Sequence, residues 1–252
     1  MSEALWASLV SVGCLVRRLP LFLCAAPQTP LRVFGIIAFD VLHVLRHSRP
    51  MPGEKIAGVA MFLDYAGYTN ATWDQKRLCE TDRLAVRHRL NSAGYSRCIE
   101  AYLARLRNLE GTRPGMGGAH RRFDDVRKYR EDVAWLALTT AAGIALDREA
   151  RDADVDTLFR ILMLCQIVDD VLDYREDALA GLPSFLTASV SVPVALELTD
   201  GAARGYASGD GATSEGAVFP LRVALWIFAT MTHLVVLVAG RRYRDTRLVA
   251  HR

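Results

Sequence analysis

Apolar residues recur along most of this 252-residue chain with the period of an α-helix, and this pattern is the strongest constraint on its fold. No convincing stretch alternates apolar and polar residues between turn signals, as a half-buried β-strand would. The main interruptions are Pro52-Gly53, the glycine-rich segment 112–118, and Gly181 with Pro183. No segment repeats. We therefore predict an all-α protein, folded as a single helical bundle over residues 1–252.

The periodicity also predicts where the helices lie. Helices are expected at 30–47, 54–78, 120–147, 153–179 and 219–243, with a polar amphipathic stretch at 80–110. Asp152 or Asp154 is the expected N-cap of the helix at 153–179. Residues 200–217 consist mainly of small residues with several glycines, so we predict a flexible loop there.

Composition excludes several kinds of protein. The five cysteines are scattered without a CxxC pair, so neither a zinc site nor a disulfide framework follows. A formal charge of only +3, without a basic tract interleaved with aromatics, argues against nucleic-acid binding. The apolar stretch 5–26 is interrupted by Arg17, Arg18 and Pro20, and we do not expect a signal peptide. A reducing, cytoplasmic location is therefore expected.

The C-terminal helix predicted at 219–243 leaves two alternatives open. The eighteen residues 223–240 are largely apolar, with Arg222 before them and Arg241 and Arg242 after them. This length meets the lower limit for a helix that spans a bilayer. A span would, however, withdraw one helix from a bundle that is already small. The segment is either a core or interfacial helix or a membrane anchor.

Three regularly spaced aspartates continue a strongly apolar helix. Asp169, Asp173 and Asp177 lie at i, i+4 and i+8, within about 80° of arc on one helical face. Carboxylates that continue a buried helix are costly unless they are neutralised, and like charges four residues apart repel. Oxygen ligands without histidine or cysteine favour Mg²⁺. The spacing therefore predicts a magnesium site; the alternative is an acidic helix end in solvent, partly paired by Arg175.

The segment 166–177, followed by Gly181, resembles the second aspartate-rich motif of trans-prenyltransferases, which belong to the class I isoprenoid synthase superfamily. In terpene synthases of that superfamily, the equivalent helix carries three metal ligands with the spacing of the three aspartates above. Asp170, about 100° around the helix, matches the prenyltransferase pattern instead and is a further candidate ligand. The resemblance implies a smaller-than-usual helical bundle of this type and an enzyme that acts on a prenyl diphosphate with Mg²⁺.

The superfamily holds its metals between two helices, so a second acidic motif is expected upstream. The segment 60–74 resembles the first aspartate-rich motif, and Asn70 and Asp74 fall on its metal-ligand positions. The resemblance is incomplete, because an asparagine replaces one aspartate and Ala71 replaces another. Asp40 is an alternative with better spacing, but it offers a single acid.

Two further resemblances suggest how a diphosphate is held. Arg242 and Tyr243 are similar to the arginine–tyrosine pair near the last helix of bacterial terpene synthases, where a guanidinium fork and a hydroxyl suit phosphate oxygens. Arg122 resembles their diphosphate-sensing arginine, although it also fits an exposed helix start. The resemblance also implies that the substrate ionises to a carbocation, which the aromatic side chains of a cavity wall would stabilise. Candidates for this wall, each of which also suits an ordinary core, are Phe62, Tyr65, Tyr68, Trp73 and Trp135.

The basic groups with which chain-elongating prenyltransferases bind two diphosphates are largely missing. No lysine stands immediately before Thr139 or Thr140, and Leu182 stands where a lysine is usual. We therefore expect a terpene synthase-like lyase that ionises one prenyl diphosphate, cyclises or rearranges it, and releases diphosphate. The alternatives are a prenyltransferase that joins prenyl units or prenylates an acceptor, and a non-catalytic, membrane-associated protein with a degenerate site. A membrane surface and a second copy of the chain are the other partners considered.

Overall fold

The structure is a computed structural model that describes residues 30–73, 80–114, 123–146, 152–209 and 217–243, with 5–6, 9–10, 12–14 and 16–17. The secondary structure of these residues is helical, and no β-strand occurs among them. The predicted all-α class is therefore confirmed.

The helices of the described residues follow one another with short connections. They are α1 (Pro30–His47), α2 (Gly53–Trp73), α3 (Glu80–Ser92), α4 (Ser96–Gly111), α5 (Phe123–Leu146), α6 (Ala153–Leu172), α7 (Tyr174–Ala180), α8 (Val192–Ser208) and α9 (Phe219–Tyr243). The polar stretch 80–110 is two helices, separated at Gly94, whose φ of 88° suits a glycine. Asp152 is the N-cap of α6, because its Oδ1 accepts the N–H groups of Asp154 and Val155 at 3.1 and 3.0 Å.

The predicted loop at 200–217 is wrong for residues 200–208, which form the second half of α8. This half of the helix continues a buried stripe that begins in the first half, and burial of that stripe favours the helix despite its glycines. The stripe consists of Val192, Ala195, Leu196, Thr199, Ala202, Ala203 and Tyr206. Residues 210–216 of the predicted loop lie outside the described part of the chain.

Arg160 of α6 caps the C-terminus of α8. Its Nε donates to the carbonyl of Tyr206 at 2.6 Å, and its Nη2 donates to the carbonyl of Ala207 at 2.7 Å. A guanidinium suits this position, because the last carbonyls of a helix lack intrahelical partners and carry partial negative charge. Gly209, with a φ of 61°, ends the helix.

The chain separates into two compact units, each of them helical. The first contains residues 1–105, 136–155 and 218–220, and the second contains 106–135, 156–217 and 221–252.

In the first unit, α2 packs against α1 and α3. Phe62 of α2 is fully buried, and its ring meets the edge of the Tyr102 ring with 5.1 Å between centroids. Asp40 of α1 is also fully buried. Its Oδ1 accepts the Met51 N–H at 2.9 Å, and its Oδ2 accepts Arg17 Nη2 at 2.7 Å. These contacts hold Asp40 in a structural position, as buried carboxylates require.

In the second unit, the part of α6 that follows Val155 is largely buried. Four side chains of this helix have no solvent exposure at all: Ile161, Met163, Leu164 and Ile167. The α9 helix lies alongside, and the Thr232 hydroxyl donates to the Leu164 carbonyl at 3.3 Å. The C-terminal end of α6 therefore follows directly on a fully buried part of the helix. This end carries the aspartates predicted to bind metal.

Candidate functional site

The spaced aspartates lie at the junction between α6 and α7. The first helix ends at Leu172, and Asp173 has φ −88° and ψ 4°, which interrupts the regular helix. Backbone hydrogen bonds still run from the Asp173 N–H to the Asp169 carbonyl at 2.8 Å and from the Asp177 N–H to the Asp173 carbonyl at 3.0 Å. The i, i+4, i+8 succession predicted from the sequence is therefore kept across the junction.

Solvent reaches these aspartates to different degrees. Asp169 is exposed and Asp173 is half-buried, whereas Asp177 is only 3% exposed. The negative charge of Asp169 acts on the preceding turn: the pKa of the Cys165 thiol is raised to about 11, by burial first and by the Asp169 charge second. Asp169 and Asp173 are thus the aspartates of this row that a solvent-borne ion can reach most directly.

Asp170 occupies a structural position inside the second unit. It is 1% exposed, and its Oδ1 accepts Arg130 Nη2 at 3.0 Å and Gln166 Nε2 at 2.7 Å. Its Oδ2 accepts the backbone N–H of Phe185 at 2.8 Å. Three donors, one of them cationic, compensate for the cost of burying this carboxylate. Asp170 was a predicted metal ligand, but protein donors engage both of its oxygens.

The segment after α7 is shaped to bring the Phe185 N–H to Asp170. Gly181 adopts a φ of 65°, and the Leu182 N–H bonds back to the Asp177 carbonyl at 2.8 Å, as in a Schellman motif. Thr187 then ties the turn, because its hydroxyl donates to the Leu182 carbonyl at 2.7 Å. The chain can make this turn because glycine adopts the left-handed conformation without steric cost.

Sequence reasoning missed the partners of Asp170. Gln166 lies four residues before it on the same helix, a spacing that predicts contact, so this partner could have been found. Arg130 lies 40 residues away on α5, and no local pattern indicates its partner. Tertiary packing alone brings that pair together.

The predicted diphosphate-binding pair lies against the aspartate junction. The ring of Tyr243 meets the edge of the Tyr174 ring with 5.3 Å between centroids, and Tyr174 directly follows Asp173. Arg242 is exposed, and its guanidinium group lies near the ring of Tyr243. Both lie at a cleft of about 270 Å³, lined by Val171, Leu172, Leu234, Val235, Val238, Ala239, Arg242 and Tyr243. Two segments that resemblance assigned to one diphosphate site are therefore neighbours within the second unit.

The predicted first motif is only partly described. Asn70 is half-buried on α2, while Asp74 and Arg122 lie outside the described residues. One side of α2 carries two fully buried hydroxyls a turn apart, those of Tyr65 and Thr69. Neither hydroxyl has a hydrogen-bond partner among the described residues.

The candidate cavity aromatics have different surroundings. Phe62 packs on Tyr102 as an ordinary core residue does. Tyr68 and Trp73 are half-buried at the C-terminal end of α2 in the first unit. Trp135 is half-buried in the second unit, where its ring meets Phe159 edge-on at 5.1 Å. The role of a cavity wall stays a prediction for all of them.

The donors at the junction fit a magnesium ion that arrives with phosphate. Among the described residues, no group of three histidine, cysteine, aspartate or glutamate side chains converges as a ready metal site. Asp169 and Asp173 offer two carboxylates on successive turns. Mg²⁺ typically takes one or two protein carboxylates and completes its octahedron with water and substrate phosphates. Two carboxylates at a junction that also adjoins Arg242, which is predicted to bind diphosphate, suit that requirement.

Comparison with protein families, with characterised proteins and with solved structures found no match to this chain. The fold and site define an all-α protein with an accessible aspartate pair, an apolar cleft and an arginine–tyrosine pair. A proposal about function therefore rests on the chemistry of these groups.

Proposed function

We propose that this chain ionises an allylic prenyl diphosphate with the help of Mg²⁺ and then cyclises or rearranges the prenyl cation, as a terpene synthase-like carbon–oxygen lyase does. One observation carries the proposal. The packing of Tyr243 on Tyr174 brings the predicted diphosphate-binding residues to the turn that contains Asp169 and Asp173. A magnesium diphosphate needs carboxylates that bind the metal and, next to them, hydrogen-bond donors that bind the phosphate oxygens.

Each group at the junction has a distinct task in this reaction. Mg²⁺, when bound, supplies Lewis-acid stabilisation of the leaving diphosphate. Asp169 and Asp173 would hold the ion, with Asp177 as the further predicted ligand in the same unit. Arg242 and Tyr243 donate hydrogen bonds to the diphosphate oxygens, which gain charge as the carbon–oxygen bond breaks and both electrons leave with the diphosphate.

The position of Asp170 favours a single-substrate reaction over condensation of two diphosphates. Asp170 is the aspartate that matches the prenyltransferase pattern, yet Arg130, Gln166 and the Phe185 N–H engage its oxygens. The accessible carboxylates that remain, Asp169 and Asp173, have the terpene synthase spacing. This arrangement supports ionisation of one substrate. So does the lack of most of the basic groups with which chain-elongating prenyltransferases bind two diphosphates.

The proposed reaction belongs in a reducing compartment such as the cytoplasm. Cys14, which is buried, and Cys98 and Cys165, which are half-buried, are thiols that form no disulfide in the described part of the chain. Such thiols are typical of proteins that are not exported into an oxidising environment.

The test is release of inorganic diphosphate from geranyl, farnesyl and geranylgeranyl diphosphates with Mg²⁺. We expect release by the natural protein and at least a 100-fold loss in the double variant Asp169→Ala with Asp173→Ala, because both predicted ion ligands are removed. Glu176→Ala is the matched control, since Glu176 is an exposed acid in the same motif at a position without a predicted ligand role. Its activity should stay within about twofold of the natural protein.

Two outcomes would contradict the proposal. The first is no diphosphate release from any of the three substrates by protein whose circular dichroism shows a folded helical chain. The second is release that survives both EDTA and the double variant. Release that requires a second diphosphate would identify the prenyltransferase alternative instead.

A further inference from the structure

The α9 helix has two faces, and both are apolar. One narrow stripe packs inward and consists of Leu221, Leu225, Thr232, Val236, Ala239 and Tyr243. The opposite face exposes Val223, Trp226, Ile227, Met231, Leu234, Leu237 and Val238. By length and composition, α9 is the one helix of the described residues that could cross a membrane, yet only 22% of its most apolar window is buried.

This arrangement is the reverse of an ordinary surface helix, which turns polar residues outward. Trp226 is 69% exposed, Val238 is 61% exposed and Met231 is 53% exposed. No Asp, Glu, Lys or Arg occurs between Arg222 and Arg241. Contiguous exposed apolar surface bounded by polar residues marks an interaction surface. We call this side of α9, with its two terminal arginines, the outward face.

Basic residues at the two ends of the outward face indicate an anionic partner, while His233, near the middle of the helix, pairs with Asp200 of α8 at 3.1 Å. Arg222 is exposed at one end of the apolar segment, and Arg241 is exposed at the other. The helix contains no aspartate or glutamate. A second copy of the chain fits this surface poorly, because antiparallel pairing of two α9 helices brings Arg222 of one copy to Arg241 of the other. Parallel pairing brings each arginine to its own equivalent, so in either direction these arginines meet only other arginines.

The inward contacts of α9 argue for a helix that lies on a bilayer rather than across it. Thr232 bonds to the α6 backbone, and Tyr243 packs on Tyr174 of α7. The adjoining ends of α6 and α7 carry exposed ionisable groups, among them Asp169 and Arg175. A transmembrane α9 would pull these groups towards the hydrocarbon, where each ionised side chain costs several kcal/mol. A helix in the interface plane keeps them in water.

We propose that the outward face of α9 docks this protein on the surface of an anionic phospholipid bilayer, with the helix axis parallel to the membrane plane. The apolar side chains enter the boundary between headgroups and acyl chains, where Trp226 finds the amphipathic environment that tryptophan favours. Arg222 and Arg241 bind headgroup phosphates at the two ends. This surface borders the proposed site, because Leu234 and Val238 also line the cleft at the aspartate junction, whereas Arg222, Arg241 and Trp226 are not among the residues that line it.

The experiment is co-sedimentation of the full chain with vesicles of phosphatidylcholine alone and of phosphatidylcholine mixed with phosphatidylglycerol. We expect clear binding to the anionic vesicles and weak binding to the neutral ones. The double variant Trp226→Ser with Met231→Ser should bind roughly tenfold more weakly or worse, because two exposed apolar anchors are lost. Arg222→Glu with Arg241→Glu should remove the preference for phosphatidylglycerol.

A matched control and a depth measurement complete the test. Leu84→Ser removes an apolar side chain that is 48% exposed on α3, in the first unit, and should leave binding unchanged. Trp226 fluorescence should be quenched by lipids brominated near the headgroup more than by lipids brominated near the bilayer centre. Each variant should fold normally because all substituted side chains are exposed. Thermal melts followed by circular dichroism check this.

Several results would overturn the proposal. One is equal binding by the natural protein and the Trp226→Ser, Met231→Ser variant. Another is a dimer in analytical ultracentrifugation that this variant converts to a monomer, which would assign the face to a second copy. A third is protein that resists alkaline extraction from vesicles with quenching deepest at the bilayer centre, which would indicate a span.

Discussion

At the scale of single residues, two adjacent aspartates have opposite surroundings. Asp169 is exposed, whereas Asp170 is buried among three donors. A rotation of about 100° between consecutive helical positions produces this difference. Binding chemistry and structural support can therefore be tested separately, by substitutions one residue apart.

The Arg130–Asp170 pair makes a stability prediction. Arg130→Met should lower the free energy of unfolding by about 3 kcal/mol, because it leaves a buried carboxylate without its cation. Lys128→Met is the control, since Lys128 is 75% exposed in its pair with Asp132 and should change stability by less than about 0.5 kcal/mol. Urea unfolding followed by circular dichroism measures both. Equal effects of the two substitutions would show that burial does not strengthen the pair.

Cys165 makes a pH prediction. Its pKa is raised from 9.0 to about 11, so alkylation by iodoacetamide should stay slow near pH 8 and rise only towards pH 11. Between these pKa values the unfolded chain releases the thiol proton and the folded chain retains it, so this group makes unfolding easier as pH rises above about 9. Peptide mass spectrometry at each pH gives the alkylation rate. Asp169→Asn should lower the midpoint, because the neighbouring negative charge is removed; a native midpoint near 9 would be inconsistent with burial of the thiol.

Local patterns predicted several residues, and contacts distant in sequence account for those missed. The Asp152 cap and the aspartate row follow from spacing along one helix. The Arg130 contact with Asp170 and the Arg17 contact with Asp40 depend on how helices pack. The free energy of such pairs is set by burial, and burial is not encoded within a single helical turn.

At the scale of elements, α8 shows how composition misleads. Glycine, alanine and serine lower helix propensity or leave little side chain to pack, so residues 200–208 resemble a loop. The helix persists because small residues allow close packing and because Tyr206 and the Arg160 cap anchor its C-terminal end. Its stripe at three- and four-residue spacing was visible in the sequence and would have predicted the helix.

Removing one hydroxyl tests the anchoring of α8. The Tyr206 hydroxyl donates to Glu131 Oε1 at 2.6 Å and accepts Arg127 Nε at 3.2 Å. Tyr206→Phe should lower the free energy of unfolding by about 1–2 kcal/mol, since it removes bonds to charged groups while Arg127 and Glu131 still pair. Ser208→Ala, at an exposed position near the helix end, should change it by less than about 0.5 kcal/mol. Denaturant unfolding distinguishes the two, and a neutral Tyr206→Phe would place the anchor elsewhere.

At the scale of the whole molecule, helical period determines the class and little else. The apolar pattern correctly predicted an all-α chain, and the bounds of α1 and α9 agree with it. It did not indicate the division into two compact units, because each unit combines segments distant in sequence. It also left the position of α9 open, since an apolar helix looks the same in sequence whether neighbouring helices cover it or not.

Ligand binding should raise the thermal stability of the whole chain. A ligand present at about 100 times its Kd stabilises the folded state by about 2.7 kcal/mol, which corresponds to a Tm increase of about 5–10 °C for a chain of this size. We expect this shift with Mg²⁺ and inorganic diphosphate together and a smaller one with Mg²⁺ alone, because without diphosphate only the carboxylates of the protein bind the ion and water supplies its other ligands. Differential scanning calorimetry measures it. The Asp169→Ala, Asp173→Ala variant should show no shift, and an unchanged shift there would move the binding site elsewhere.

The buried environment of Asp170 has an evolutionary consequence. Selection for stability alone would retain this aspartate, together with Arg130 and Gln166, in any descendant that keeps the fold. The neighbour, Asp169, is exposed, so burial does not constrain it in this way, whereas the metal binding proposed above would. Among descendants of this chain, retention of Asp169 would therefore bear on the proposed metal chemistry, whereas retention of Asp170 would follow from folding.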